Sequence, residues 1–248
     1  MTWLRLLKAE GRKLVTTRLL WGFLGALVLF SVIVAIAVVL GSATDDAVGF
    51  VDTSEAQRSL LAFGSNAMVF GGLFGATAVA REYTHRTVVP TYLLSPVRHR
   101  VQLAQLLAVL LTGAVLGAVG GGLTVAAGAV SLPLVDQQLL LSGGEVARLV
   151  AVAGLAGATG AVLGAGFGAL LRNTGGAVTA VVLLLLVGPP LVSQLLVEVA
   201  VWVPGSLIGV LAGVADGHTI GVALTALLAW GLVPAVAGLA AVERRDVI

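Results

Sequence analysis

The residues with chemistry to offer gather in one stretch, Arg81 to Arg100. It reads REYTHRTVVPTYLLSPVRHR and is the longest polar interruption after the N-terminus. Glu82 and Arg86 stand four apart, the spacing at which a carboxylate and a guanidinium share a helix face. They can pair with each other or reach across to a partner. Thr84 can start a helical turn, and Pro90 and Pro96 limit how far it runs. Tyr83, Val88, Val89, Tyr92, Leu93 and Leu94 are too apolar for a free linker. Charge pairing flanked by apolar contact would suit docking on a partner; a solvated, positive-inside loop is the alternative reading of the same residues.

Other chemistries find no residues to carry them. Cysteine is absent, which removes disulfides, thiol catalysis and cysteine metal sites. The three histidines, His85, His99 and His218, show no metal-ligand spacing. Asp45, Asp46, Asp52 and Glu55 crowd one short loop but lack a calcium-loop pattern, and a solvated loop is the expectation. No G-x-x-x-x-G-K-[ST] phosphate loop occurs, and both lysines, Lys8 and Lys13, lie near the N-terminus. No G-x-S-x-G elbow occurs, and nothing around Ser206 supports a serine protease with His218. The expectation is a chain that is not an enzyme, has no cofactor or metal of its own and binds no nucleic acid.

The elements around the polar stretch are oily. Hydrophobic residues make up 58% of the 248 and charged residues 10%, where a soluble domain would carry about 25% charged. Charge-free runs extend over Leu19 to Thr44, Ser59 to Ala80, Val101 to Val135, Leu149 to Leu171, Asn173 to Val197 and Gly217 to Val242. Each is long enough to cross a hydrocarbon core, which takes roughly 20 helical residues. Backbone satisfaction in lipid leaves helices as the reading. The expected fold is therefore all-α, one membrane domain over 1–248 with six spans near 19–41, 59–80, 101–130, 149–171, 177–197 and 219–242. The first run is too long for a signal-peptide core, so it is expected to be retained as a span.

Charge orients the bundle. Segments 1–18, 81–100, 172–176 and 243–248 hold 12 of the 14 basic residues, leaving Arg58 and Arg148 on the other side. The positive-inside rule then expects both termini in the cytoplasm. Residues 1–18 place Trp3, Leu7 and Leu14 near one helical face and Arg5, Lys8 and Arg12 along another, as an amphipathic interfacial helix would. Glu10 and Lys13 stand at pairing distance on that helix.

Several spans carry small residues at four-residue intervals: Gly71 and Gly75, then Gly113, Gly117 and Gly121, then Gly160, Gly164 and Gly168. Such stripes let helix backbones approach closely, as packing faces or as places where helices slide. Pro189 and Pro190, after Gly188, are expected to kink or break span five. Residues 198–218, interrupted by Pro204 and Gly205, read as a broken, re-entrant or outer-surface hairpin. A seventh crossing would put Arg244 and Arg245 against the charge bias. The spans are essentially free of ionisable groups, which ion-coupled transport usually needs. Energy is then expected from a partner docking on the cytoplasmic face.

Glu82, Tyr83, His85, Arg86, Thr87, Pro90, Thr91, Leu93, Pro96, Arg98 and Val101 together resemble a pattern of the ABC-2 type transporter permeases, and look most like small actinobacterial members. The resemblance extends to the amphipathic start, the six spans, the broken segment between spans five and six, and an ending that contains Arg244, Arg245 and Asp246. The chain has Arg86 where the family often has glycine, and Gln105 where it often has lysine.

The resemblance implies a coupling helix between spans two and three, in which Glu82, Tyr83, His85, Arg86, Thr87, Leu93 and Pro96 seat in a groove of a separate ABC ATPase. It implies that ATP and Mg are bound by that subunit, and that the permease works beside a second copy or a paralogue. The bilayer involved would be a bacterial plasma membrane. The expected function is ATP-driven export of a hydrophobic or amphipathic substrate. The same loop would serve a membrane anchor or sensor that recruits an ATPase for signalling or immunity.

Overall fold

The computed structural model describes residues 3–42, 51–64, 66–85 and 98–244. Helices α1 (Trp3–Thr16) and α2 (Arg18–Ser42) meet at Thr17, where the amphipathic segment gives way to the first apolar one. In α1, Leu6 is buried with Val101 and Ala104 of a later helix, whereas Arg5, Lys8 and Arg12 are exposed. The Thr17 hydroxyl donates to the Leu14 carbonyl at 3.0 Å, occupying an acceptor at the end of α1.

Helices α3 (Ser54–Gly64) and α4 (Ala67–Thr84) run as one 31-residue candidate span, with left-handed Asn66 at the junction. The sequence leads one to expect an uninterrupted helix over 59–80. The junction interrupts it because the hydrogen-bond ladder cannot pass through a residue at φ 44°. Next come α5 (Arg98–Ser131), a 3₁₀ turn at Leu132–Val135, and α6 (Gly143–Leu171). Ser142 and Glu145 form a reciprocal capping box that starts α6: Glu145 N–H donates to Ser142 Oγ, and Ser142 N–H donates to Glu145 Oε2 at 2.9 Å.

Helix α7 (Thr174–Val182) continues through a π turn at Leu183–Val187 into α8 (Gly188–Leu195). Pro189 and Pro190 have no N–H to donate to the preceding turn. The widened turn, in which Gly188 N–H reaches back to the Leu183 carbonyl, sits where that turn needs relief. The short α9 (Val197–Ala200) and α10 (Pro204–Ala212) precede the last helix, α11 (Ile220–Arg244). At nine residues α10 is too short to cross a membrane. Its Leu207, Gly209, Val210 and Leu211 are buried, so it packs against the rest of the bundle. Among the described residues there is no strand, and six helices are long and apolar enough to span a membrane.

The core sits around α6, which is buried on most of its circumference by α4, α5 and α11. Small residues make this possible. A methyl on Gly157 would lie 2.8 Å from the Gly117 Cα of α5, and one on Gly168 would lie 2.9 Å from the Ala80 nitrogen of α4. A methyl on Gly166 would lie 2.6 Å from the Ala235 nitrogen, beside Pro234 inside α11. In lipid, helices associate through such dense packing and not through exclusion of water.

Candidate functional site

The basic end of the bundle is built around the last turn of α4. Lys13 of α1 places its ammonium 2.7 Å from Glu10 Oε1 and 3.4 Å from Glu82 Oε1. Glu10 is 4% exposed, so the helix carries this carboxylate inward, where the Lys13 ammonium is its partner. Burial pulls the Lys13 proton affinity down, but the charges of Glu82 and Glu10 more than offset it and hold the ammonium above its ordinary value. The bridge joins the amphipathic helix to the mouth of the Arg81–Arg100 segment.

The neighbours of Glu82 tie the same turn to three other helices. The Tyr83 hydroxyl lies 3.5 Å from Gln102 Oε1 of α5, and the Arg172 guanidinium sits 5.4 Å from the Tyr83 ring centre. Thr84 and Thr174 share a hydroxyl hydrogen bond of 3.2 Å, linking α4 to the start of α7. His99 of α5 lies 4.0 Å from Glu243 of α11, both side chains half-exposed. Of the expected coupling residues, Glu82, Tyr83 and His85 are placed here. Arg86, Thr87, Leu93 and Pro96 lie outside the described residues. The Glu10–Lys13 pair was legible from spacing, but the third member, Glu82, is 69 residues from Lys13 and no local pattern announces it.

The opposite end is held by the two cations that break the charge asymmetry. Arg148 of α6 donates through Nε to the Leu211 carbonyl at 2.7 Å and through Nη2 to that of Val210 at 3.5 Å. Arg58 of α3 donates to the Gly213 carbonyl at 3.3 Å and pairs with Glu145. Both cations sit at the C-terminus of α10, where the unpaired carbonyls and the helix dipole favour positive charge. Gly213 ends that helix at φ +77°, in the left-handed region. Buried Gln57 completes this end, donating to the Val51 and Gln138 carbonyls and accepting from Leu140 N–H, each at 2.9 Å.

Three discontinuities converge beside this cluster. Asn66 at the α3–α4 junction, Leu185 in the π turn and Pro204 at the start of α10 all line one cavity of about 100 Å³. Phe63, Met68 and Ile208 make its wall largely apolar. Irregular backbone at membrane depth is tolerated where it is enclosed by protein or faces a cavity. Of the glycines singled out by spacing, Gly113, Gly117 and Gly121 of α5 face α6, and Gly160, Gly164 and Gly168 of α6 face α4. The matching contribution of Gly231, Pro234 and Gly238 from α11 has no regular four-residue stripe to reveal it. Pro189 is half-buried and Pro190 exposed, outside that cavity lining.

Among the described residues no group of three or more histidine, aspartate or glutamate side chains is placed to hold a metal ion. No family model matches the chain, and no curated protein matches it.

Proposed function

We propose that this chain is the membrane-spanning subunit of an ATP-binding cassette exporter of the ABC-2 permease type. In this reading both termini are cytoplasmic, and a separate ATPase docks on the segment that follows Glu82. The observation that carries the proposal is the position of Glu82. It sits at the mouth of the polar segment, and its ties run to α1 through Lys13, while Tyr83 and Thr84 tie the same turn to α5, α6 and α7. A push on residues 86–97 therefore reaches most of the bundle through one turn of helix.

The proposed cycle uses ATP only through its different affinities for two arrangements of the bundle. Dimerised ATPases would move the segment, α1 would follow through the Lys13 bridge, and the discontinuous elements around the cavity would adjust at the other end. The central parts of the spans carry no ionisable side chain, which supports an external energy source over ion coupling. The substrate class, hydrophobic or amphipathic, is supported by the apolar wall of the cavity. The test is a transport assay in vesicles containing the chain and its co-purifying ATPase. Uptake of a lipophilic dye is expected with ATP and Mg and not with an imposed proton gradient alone. Uptake driven by the gradient without ATP would overturn the proposal.

A further inference from the structure

The elbow between α1 and α2 leaves a groove against α4 whose composition changes along its length. Its end at the start of α2 carries Arg18, and Arg81 of α4 faces the same space, while Leu19, Gly22, Phe23 and Ala26 line the remainder. The groove measures about 460 Å³ and shares Leu19 and Arg81 with an adjoining hollow of about 270 Å³ beneath Lys13 and Glu82. Arg18 is the first residue of its candidate span and Arg81 lies in the last turn of another, so in a bilayer both side chains would start from the span ends, toward the headgroups.

The charges around this groove do not cancel. Lys13 is held between Glu10 and Glu82, whereas among the described residues no hydrogen bond or ion pair engages the side chain of Arg18 or Arg81. Among the described residues three cations stand against two carboxylates, an excess of one positive charge, and a guanidinium fork matches the geometry of a phosphate. Below the charges the groove is open: a methyl built on Gly22 meets nothing within 4 Å. We infer that this groove binds one anionic glycerophospholipid, its phosphate between Arg18 and Arg81 and an acyl chain along Gly22, Phe23 and Ala26. The lipid would occupy the wedge between α2 and α4 next to the Lys13–Glu82 bridge and so bear on the position of α1. The inference needs only that the chain lies in a bilayer, not that it transports.

Native mass spectrometry of the full chain in detergent, with parallel thermal melts, tests it. The probes are dioleoyl phosphatidylglycerol, dioleoyl phosphatidylcholine and inorganic phosphate. One phosphatidylglycerol is expected to be retained per chain and to raise the melting temperature, with phosphatidylcholine and phosphate doing neither. The double variant Arg18→Gln/Arg81→Gln should lower phosphatidylglycerol occupancy about tenfold or more. Gly22→Leu should do the same by filling the acyl slot, and because that position is open it keeps the test alive if the double variant fails to fold. Lys8→Gln, an exposed cation elsewhere on α1, should leave retention unchanged. Equal retention of phosphatidylcholine, a phosphate effect equal to that of the lipid, or undiminished retention in Gly22→Leu would overturn the inference.

Discussion

Lys13 and Glu82, 69 residues apart in the chain, meet with 3.4 Å between ammonium nitrogen and carboxylate oxygen, and Glu10 holds the same ammonium at 2.7 Å. The carboxylates raise the Lys13 proton affinity above the ordinary 10.5 against the opposing effect of burial. A group that binds its proton more tightly when folded contributes stability that is full below its unfolded value and lost as pH rises through its folded value. Thermal stability in detergent is therefore expected to fall from about pH 10.5 upward. Lys13→Met should flatten that part of the profile, and Lys13→Arg should extend the stable range. An unchanged alkaline slope in Lys13→Met would remove the bridge from the account.

Helix α6 tolerates no enlargement toward α4. A methyl on Gly164 would overlap the Gly72 carbonyl oxygen and lie 2.7 Å from the Ala76 nitrogen, and backbone atoms cannot swing aside. Gly164→Leu is expected to cost about 1–3 kcal/mol or to prevent assembly of the bundle. Gly122→Ala, on α5, points into open space and should be neutral. Unfolding of the two variants in detergent, followed by size-exclusion chromatography, separates these outcomes.

Gln57 makes three hydrogen bonds to backbone groups, and among the described residues no other side chain bonds those groups. Gln57→Leu keeps the volume and strands the Leu140 N–H, which should cost about 1–3 kcal/mol. Faster amide exchange at Leu140, with exchange within α4 unchanged, is the expected signature.

The end of α10 depends on its cap. Arg148→Met removes the cation that bonds Leu211 and Val210 and should destabilise the protein by about 0.3–1 kcal/mol. Gly213→Ala should cost about 1–2 kcal/mol, because its left-handed φ disfavours a Cβ and the added methyl would stand 3.1 Å from Arg148 Nη1. If Gly213→Ala melts like the unmodified protein, the cap does not constrain α10.

The apolar runs made the helical elements legible, and the end of the amphipathic segment and Pro204 marked two of the breaks, because charge pattern and proline act locally. The junction at Asn66 was hidden inside a run of suitable hydropathy, since a single left-handed residue leaves no trace in an average. The depth of α10 was hidden too: Leu207 and Leu211 are equally at home against lipid or protein. Arg58 and Arg148 stood out as exceptions to the charge bias, but only the fold shows that both serve one helix terminus. Likewise the value of Lys13 to Glu82 arises from how α1 folds back, which no spacing along the chain encodes.

The most direct measurement is ATP turnover by the complex that the tagged full chain retains from its native membrane, reconstituted in proteoliposomes. A phosphate-loop ATPase is expected to co-purify with the chain, and Glu82→Ala together with Thr87→Ala is expected to lower substrate-stimulated turnover by about tenfold, equivalent to ~1.4 kcal/mol of coupling. Absence of such an ATPase, or a double variant that assembles and turns over like the unmodified complex, would overturn the proposed coupling through Glu82.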